Sequence, residues 1–199
     1  MCKQPNQIAF HIPAWVNRFA LAYSSSTNIE GRMSFVVAAA KQNVTERTGG
    51  PFAAAVFERD SGKLISLGVN LVTAEGLSVL HAEIVAITVA QKILGTYDLG
   101  REGLLPYELV SSAEPCAMCY GAILWAGVRR LVTGARGPDV RSIGFDEGPM
   151  IPNWRRELEK RGIETICDVK REAAMSVLSQ YAREGGIIYN ARASRPPAL

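Results

Sequence analysis

The stretch ELVSSAEPCAMCYGAILWAG, Glu108–Gly127, holds a change of backbone state in twenty residues. Its first seven, ELVSSAE, fit a β-strand. Pro115 then keeps Glu114 extended and suits the first position of a helix. From Cys116 the chain is apolar nearly all round until Gly127, a natural helix stop, so CAMCYGAILWAG reads as a buried helix with Trp125 in the core. A strand passing directly into a buried helix is half of a βα unit.

The same alternation extends on both sides. Met33–Arg47 has a helical pattern stopped by TGGP. FAAAVFE (Phe52–Glu58) and KLISLGVN (Lys63–Asn70) read as two strands joined through RDSG as a hairpin. VLHAEIVAITVAQKIL (Val79–Leu94) reads as a second buried helix. After Gly127 follow a strand in RRLVTGA, a helix in NWRRELEKR, a fifth strand in IETICDV and a last helix from Arg171 to Glu184. These elements predict an α/β fold of three layers, α/β/α, with helices on both faces of a central mixed five-stranded sheet. Residues 1–31 are less patterned and form an extension that wraps the domain or packs a short helix on it. Residues 32–199 make the domain itself, with its tail GGIIYNAR.

The 199 residues are 48% hydrophobic and 21% charged, suited to one folded domain, and carry a net charge of +3. That excess is too small to argue for a nucleic-acid partner, and its basic pairs are interleaved with acids. No run is long enough to span a membrane and the amino terminus does not resemble a secretory signal, so a cytoplasmic setting is expected. Four cysteines at 2, 116, 119 and 167 do not make a disulfide framework. In a reducing compartment Cys116 and Cys119 are free to bind metal.

The second decisive stretch is HAEI, His81–Ile84. Both HAEI and PCAMC lie at helix starts. Cys116 and Cys119, three apart, share one helix face, and the free N–H groups there favour thiolates. His81 and Glu83, two apart, converge only over the open end of their helix. One imidazole and two thiolates make three ligands, the count of a catalytic zinc that keeps one position for water. A zinc-bound hydroxide would then attack an electron-poor carbon, with Glu83 moving the proton. In the competing reading zinc only staples two helices. That reading needs a fourth ligand from Cys2, His11, Cys167 or an acid, and gives Glu83 no task. Otherwise His11 reads as a surface residue, Cys167 as a small buried one and Cys2 as terminal.

The pairing of HAE with PCAMC resembles the signature of the zinc-dependent cytidine-deaminase-like superfamily, in which hydroxide displaces ammonia from an amino-bearing ring carbon. GGPFAAAVFERDSG, GVNLVT, IGFDEGP and GIIYNAR look like the bacterial guanine deaminases within it, over most of residues 49–192. The tRNA-adenosine branch has a Pro-, Lys-, Gly- and Ser-rich segment where this chain has ARGPDVRSIGFDEGP. The resemblance implies hydrolysis of guanine to xanthine and ammonia. Alternatives are guanosine, ammeline or a cytosine derivative as substrate, and, less favoured, editing of RNA or single-stranded DNA.

A carboxylate, all acceptor, complements the N1–H and amino edge of guanine, which suits Asp146 or Glu147. By similarity Glu147 is the second proton shuttle and Asp146 a loop anchor. The resemblance also turns Asn70, otherwise a strand-end turn residue, into a ring-binding amide, and makes Tyr189 a lid. Phe52 and Phe145 are candidate walls of the ring pocket, and the backbone N–H groups of Ala82 and Cys116 candidate stabilisers of developing charge. Relatives of this kind pair, so a homodimer is expected.

Overall fold

Along β1 (Ala53–Glu58) successive side chains go to opposite faces, and both faces are buried. Ala53, Ala55 and Phe57 enter one core, Ala54 and Val56 the other. A computed structural model describes residues 4–191. Cys2 and the end of the tail, residues 192–199, lie outside the described residues. The sheet has the order β2-β1-β3-β4-β5. β1 runs antiparallel to both β2 (Leu64–Val69) and β3 (Tyr107–Ala113), whereas β3, β4 (Arg130–Ala135) and β5 (Glu164–Ile166) are parallel. The expected hairpin and mixed sheet of five strands are both present.

One face of the sheet is covered by α1 (Ala14–Leu21), α2 (Ile29–Thr45) and α8 (Arg171–Arg183). The other carries α4 (Ala82–Leu94), α5 (Ala117–Ala126) and α7 (Trp154–Glu159). The short helices α3 (Val72–Glu75) and α6 (Gly137–Ser142) had no separate signal in the sequence. The amino-terminal segment does pack a short helix on the domain, through Trp15 and Val16.

Three details depart from the sequence reading. The helix expected from Met33 begins at Ile29, because the Asn28 side chain accepts the N–H of Glu30 and caps it there, ahead of the expected boundary at 31/32. Trp125, expected in the core, is 86% exposed. The α5 helix is apolar on all sides, but the sheet and α4 cover only the side bearing Cys119, Tyr120, Ile123 and Ala126. Cys167 lies just beyond β5 and is half-buried.

Gly68 on β2 sets how closely α4 approaches. A Cβ there would lie 2.4 Å from both the Ala82 carbonyl oxygen and the Ala86 nitrogen, so only glycine admits the helix at this distance. Under the opposite face, Glu108 is fully buried between Arg32 and Arg130, each 2.6 Å from a carboxylate oxygen. Arg32 also donates to the carbonyls of Arg59 and Thr27, tying α2 to the β1–β2 turn and to its own approach loop. Burial pushes the Glu108 carboxyl up against the pull of the two guanidiniums. Removing one partner from such a group leaves uncompensated charge in the interior. Arg32→Met is therefore expected to lower stability by about 3 kcal/mol in urea unfolding at neutral pH.

Candidate active site

His81 is the N-cap of α4 and Cys116 the N-cap of α5, both with extended backbone, so two helix starts face one another. His81 Nδ1 lies 3.5 Å from Cys116 Sγ and 3.7 Å from Cys119 Sγ. The three ligand atoms all fall within 4.8 Å of one another. A tetrahedral zinc, with bonds of about 2.0 Å to nitrogen and about 2.3 Å to sulfur, spaces nitrogen and sulfur ligands by about 3.5 Å. The two nitrogen–sulfur separations match that spacing.

The charge distribution makes the same demand. The Cys116 thiol is pulled down to about 4 by its contacts with Cys119 and then His81, while Cys119, donating to it, is raised. Burial alone would lower the His81 imidazole, yet the Cys116 thiolate with Glu83 and Glu147 raises it. The donors thus share protons around one thiolate, protons that a divalent cation would displace. Among the described residues no fourth His, Cys, Asp or Glu joins the three. His11, its side chain 92% exposed, lies instead 3.7 Å from Glu75, and Cys167 is elsewhere.

One cavity gathers nearly every residue singled out in the sequence. Its lining includes Phe52, Asn70, His81, Glu83, Cys116, Phe145, Asp146, Glu147 and Tyr189. The exceptions are Cys119, fully buried behind the lining, and Ala82. Ala82 is fully buried against Gly68 and does not line the cavity. Glu83 is buried and accepts from Ser111 Oγ at 3.4 Å. Burial first, then the Cys116 thiolate, raises its carboxyl. Burial likewise pushes Glu147 up to about 8, with Cys116 and Glu83 adding to it. A cation held by Cys116 would remove part of that push and leave the contribution of burial. Glu147 is fixed at its main chain, where its carbonyl accepts the Ala117 N–H at 3.0 Å at the start of α5.

The aromatic wall is built edge to face. Phe145 lies 5.2 Å from Phe52 and 5.0 Å from Tyr189, centroid to centroid. The Tyr189 phenol is held neutral by burial and lies beside the Asn70 side chain. Asn70 Oδ1 accepts the Val72 N–H at 3.2 Å, an Asx-type turn that leaves the amide nitrogen for the cavity. Its carbonyl accepts from Asn43 Nδ2, which also reaches the Gly50 carbonyl. Asn43 Oδ1 accepts from Thr48, and Thr48 Oγ1 accepts the indole N–H of Trp15.

Sequence reasoning missed Ser111, Asn43 and Glu114. Glu114 lines the cavity, pairs with Arg155 at 2.5 Å and accepts the Gly137 N–H. Every residue of β3 is buried, so no alternation marks Ser111 as facing Glu83. Asn43 lies within α2, where only its full burial would mark it.

The family described as the cytidine and deoxycytidylate deaminase zinc-binding region matches residues 26–135. The guanine deaminase of Bacillus subtilis (strain 168) is 35% identical over 136 residues, covering 68% of this chain and 83% of that protein. Among solved structures, a guanine deaminase from Nitrosomonas europaea superposes with a TM-score of 0.87 at 43% identity. That match covers 92% of this chain and all of the other. A structure in complex with 2,6-diaminopurine gives 0.86 at 46% identity, covering 93% and 97% of the two chains. In this chain, His81→Ala or Cys116→Ala is expected to reduce zinc from about one ion per chain to near none by atomic absorption, with Glu83→Gln still loaded.

Proposed function

We propose, for a chain that belongs to the cytidine and deoxycytidylate deaminase family, that it hydrolyses guanine to xanthine and ammonia. The observation that carries this reading is the convergence of a buried carboxyl group, Glu83, and a half-buried one, Glu147, on a three-donor metal cluster at one aromatic-walled cavity. Both relatives named as guanine deaminases support it, as does the structure holding a 2-aminopurine. The cavity measures about 60 Å³. At about 10–15 Å³ per water it holds roughly five waters, which in liquid fill about 150 Å³, the scale of a bare bicyclic base.

A zinc ion held by His81, Cys116 and Cys119 would supply a water acidified to near neutral pH, the nucleophile for C2 of the base. Glu83 takes a proton from that water and delivers it to N3, the ring nitrogen that gains electron density. Glu147, held protonated by burial, faces the N1–H and amino edge and gives its proton to the departing amine. Asn70 donates its amide N–H to the ring, Phe52 and Phe145 flank it, and Tyr189 closes over it. Asp146 serves the loop: its Oδ1 accepts the Gly148 N–H. The chain is a zinc-dependent hydrolase in this reading, and residues 1–31 are an extension of its single catalytic domain.

The exposed face of α5, with Trp125 and Met118 open to solvent, supports pairing with a second copy of the chain. No helix among the described residues is long and apolar enough to cross a membrane, and a reducing cytoplasm suits the two thiolates.

Glu83→Gln is expected to lower kcat for ammonia release from guanine by at least about 10²-fold while keeping zinc. Silence of the wild-type chain on guanine, with turnover of guanosine, ammeline, cytosine or an RNA substrate, would overturn the substrate. Trp125→Lys is expected to shift the chain from dimer to monomer in light scattering; a monomeric wild type would refute pairing.

A further inference from the structure

Tyr189 faces the cavity, but its neighbour Asn190 reaches away from it to the loop that carries Glu147. Asn190 Oδ1 accepts the Asp146 N–H at 2.8 Å, and Asn190 Nδ2 donates to the Gly144 carbonyl at 2.8 Å. The two bonds bracket Phe145. A carboxamide offers a donor and an acceptor in one plane, so this one side chain satisfies two backbone groups facing the same way. The loop needs such a tie. It turns through Gly144 at φ +104° and Gly148 at φ +67°, and holds no regular structure from Gly144 to Met150. Beyond the Asx turn of Asp146, Glu147 has one further main-chain anchor, at Ala117 beside the metal cluster. Glu147 therefore sits between two fixed points, one at the start of α5 and one in the tail.

We propose that Asn190 is a positioning residue for Glu147: its clasp on Gly144 and Asp146 fixes the carboxyl group that protonates the departing amine. This rests on the reading of Glu147 as that proton donor. The clasp links two events, since the tail that brings Tyr189 over the base also completes the acid. Substrate held in place without the clasp meets Asn70 and Phe52 as before, but C–N cleavage is slowed. In that step the bond from C2 to the exocyclic nitrogen breaks as the C2 hydroxyl oxygen closes to a carbonyl; the nitrogen takes the bonding pair and the Glu147 proton, the hydroxyl proton returns to the Glu147 carboxylate, and ammonia departs.

The test compares Asn190→Ala, Asn190→Asp and Glu147→Gln in the zinc-loaded full chain, with guanine carrying ¹⁵N in the 2-amino group. Asn190→Ala is expected to lower kcat about tenfold, keep KM within about threefold and raise the ¹⁵N isotope effect, because cleavage limits the rate more fully. Asn190→Asp, which keeps the acceptor and loses the donor, is expected to fall between. A raised KM at unchanged kcat would make the tail a cover only and overturn the proposal. So would a lower kcat with an unchanged isotope effect. If Glu147→Gln loses turnover while Asn190→Ala keeps it, the clasp alone is refuted. If Glu147→Gln turns over like the wild type, the assignment of Glu147 fails first.

Discussion

Two thiols and two carboxyl groups share one buried pocket with a single imidazole, and the rest of the site answers to that concentration of acid groups. In low dielectric these groups cannot all ionise unaided. Their protonation states settle into a hierarchy: Cys116 gives up its proton, Cys119 keeps one to share, and both carboxyls rise. A dication among His81, Cys116 and Cys119 resolves the sulfur side of the conflict. The carboxyl side is left unresolved, and that residue of strain is useful. Carboxyls with raised proton affinity are what a reaction that moves protons onto a ring and an amine requires.

The fold supplies this juxtaposition by bringing two helix starts together. Gly68 lets α4 lie close on β2, which sets the height of His81 and Glu83. β3, in the middle of the sheet, delivers Cys116 at its end. Both cores meet at these central strands, so the ligand-bearing ends rest on the most constrained part of the molecule. The loop from Gly144 to Gly148 and the tail up to Ala191 have no regular structure, and they bring Glu147 and Tyr189 to the cavity.

How much of this could be read in the sequence follows from the range of each interaction. The metal donors were legible because ligand chemistry restricts residue type and the helix restricts spacing. The sheet was legible because strands buried on both faces read as apolar runs. Trp125 misled because an apolar helix does not disclose which of its sides the sheet will cover. Ser111, Asn43, Glu114 and Asn190 were silent for a different reason: each acts on a residue 22 or more positions away, or on backbone with no identity of its own. Polar residues that fasten main chain leave no periodicity to detect.

The chain of bonds from Trp15 to Asn70 has a direction as well as a length. An indole N–H donates and never accepts, so Thr48 must turn its lone pair toward Trp15 and its hydrogen toward Asn43. Asn43 in turn meets this hydroxyl with its oxygen and gives its NH₂ to the carbonyls of Gly50 and Asn70, which can only accept. A helix remote from the cavity is thereby moored, bond by bond, to the main chain at the strand end that carries Asn70, whose own amide is turned by the Val72 N–H.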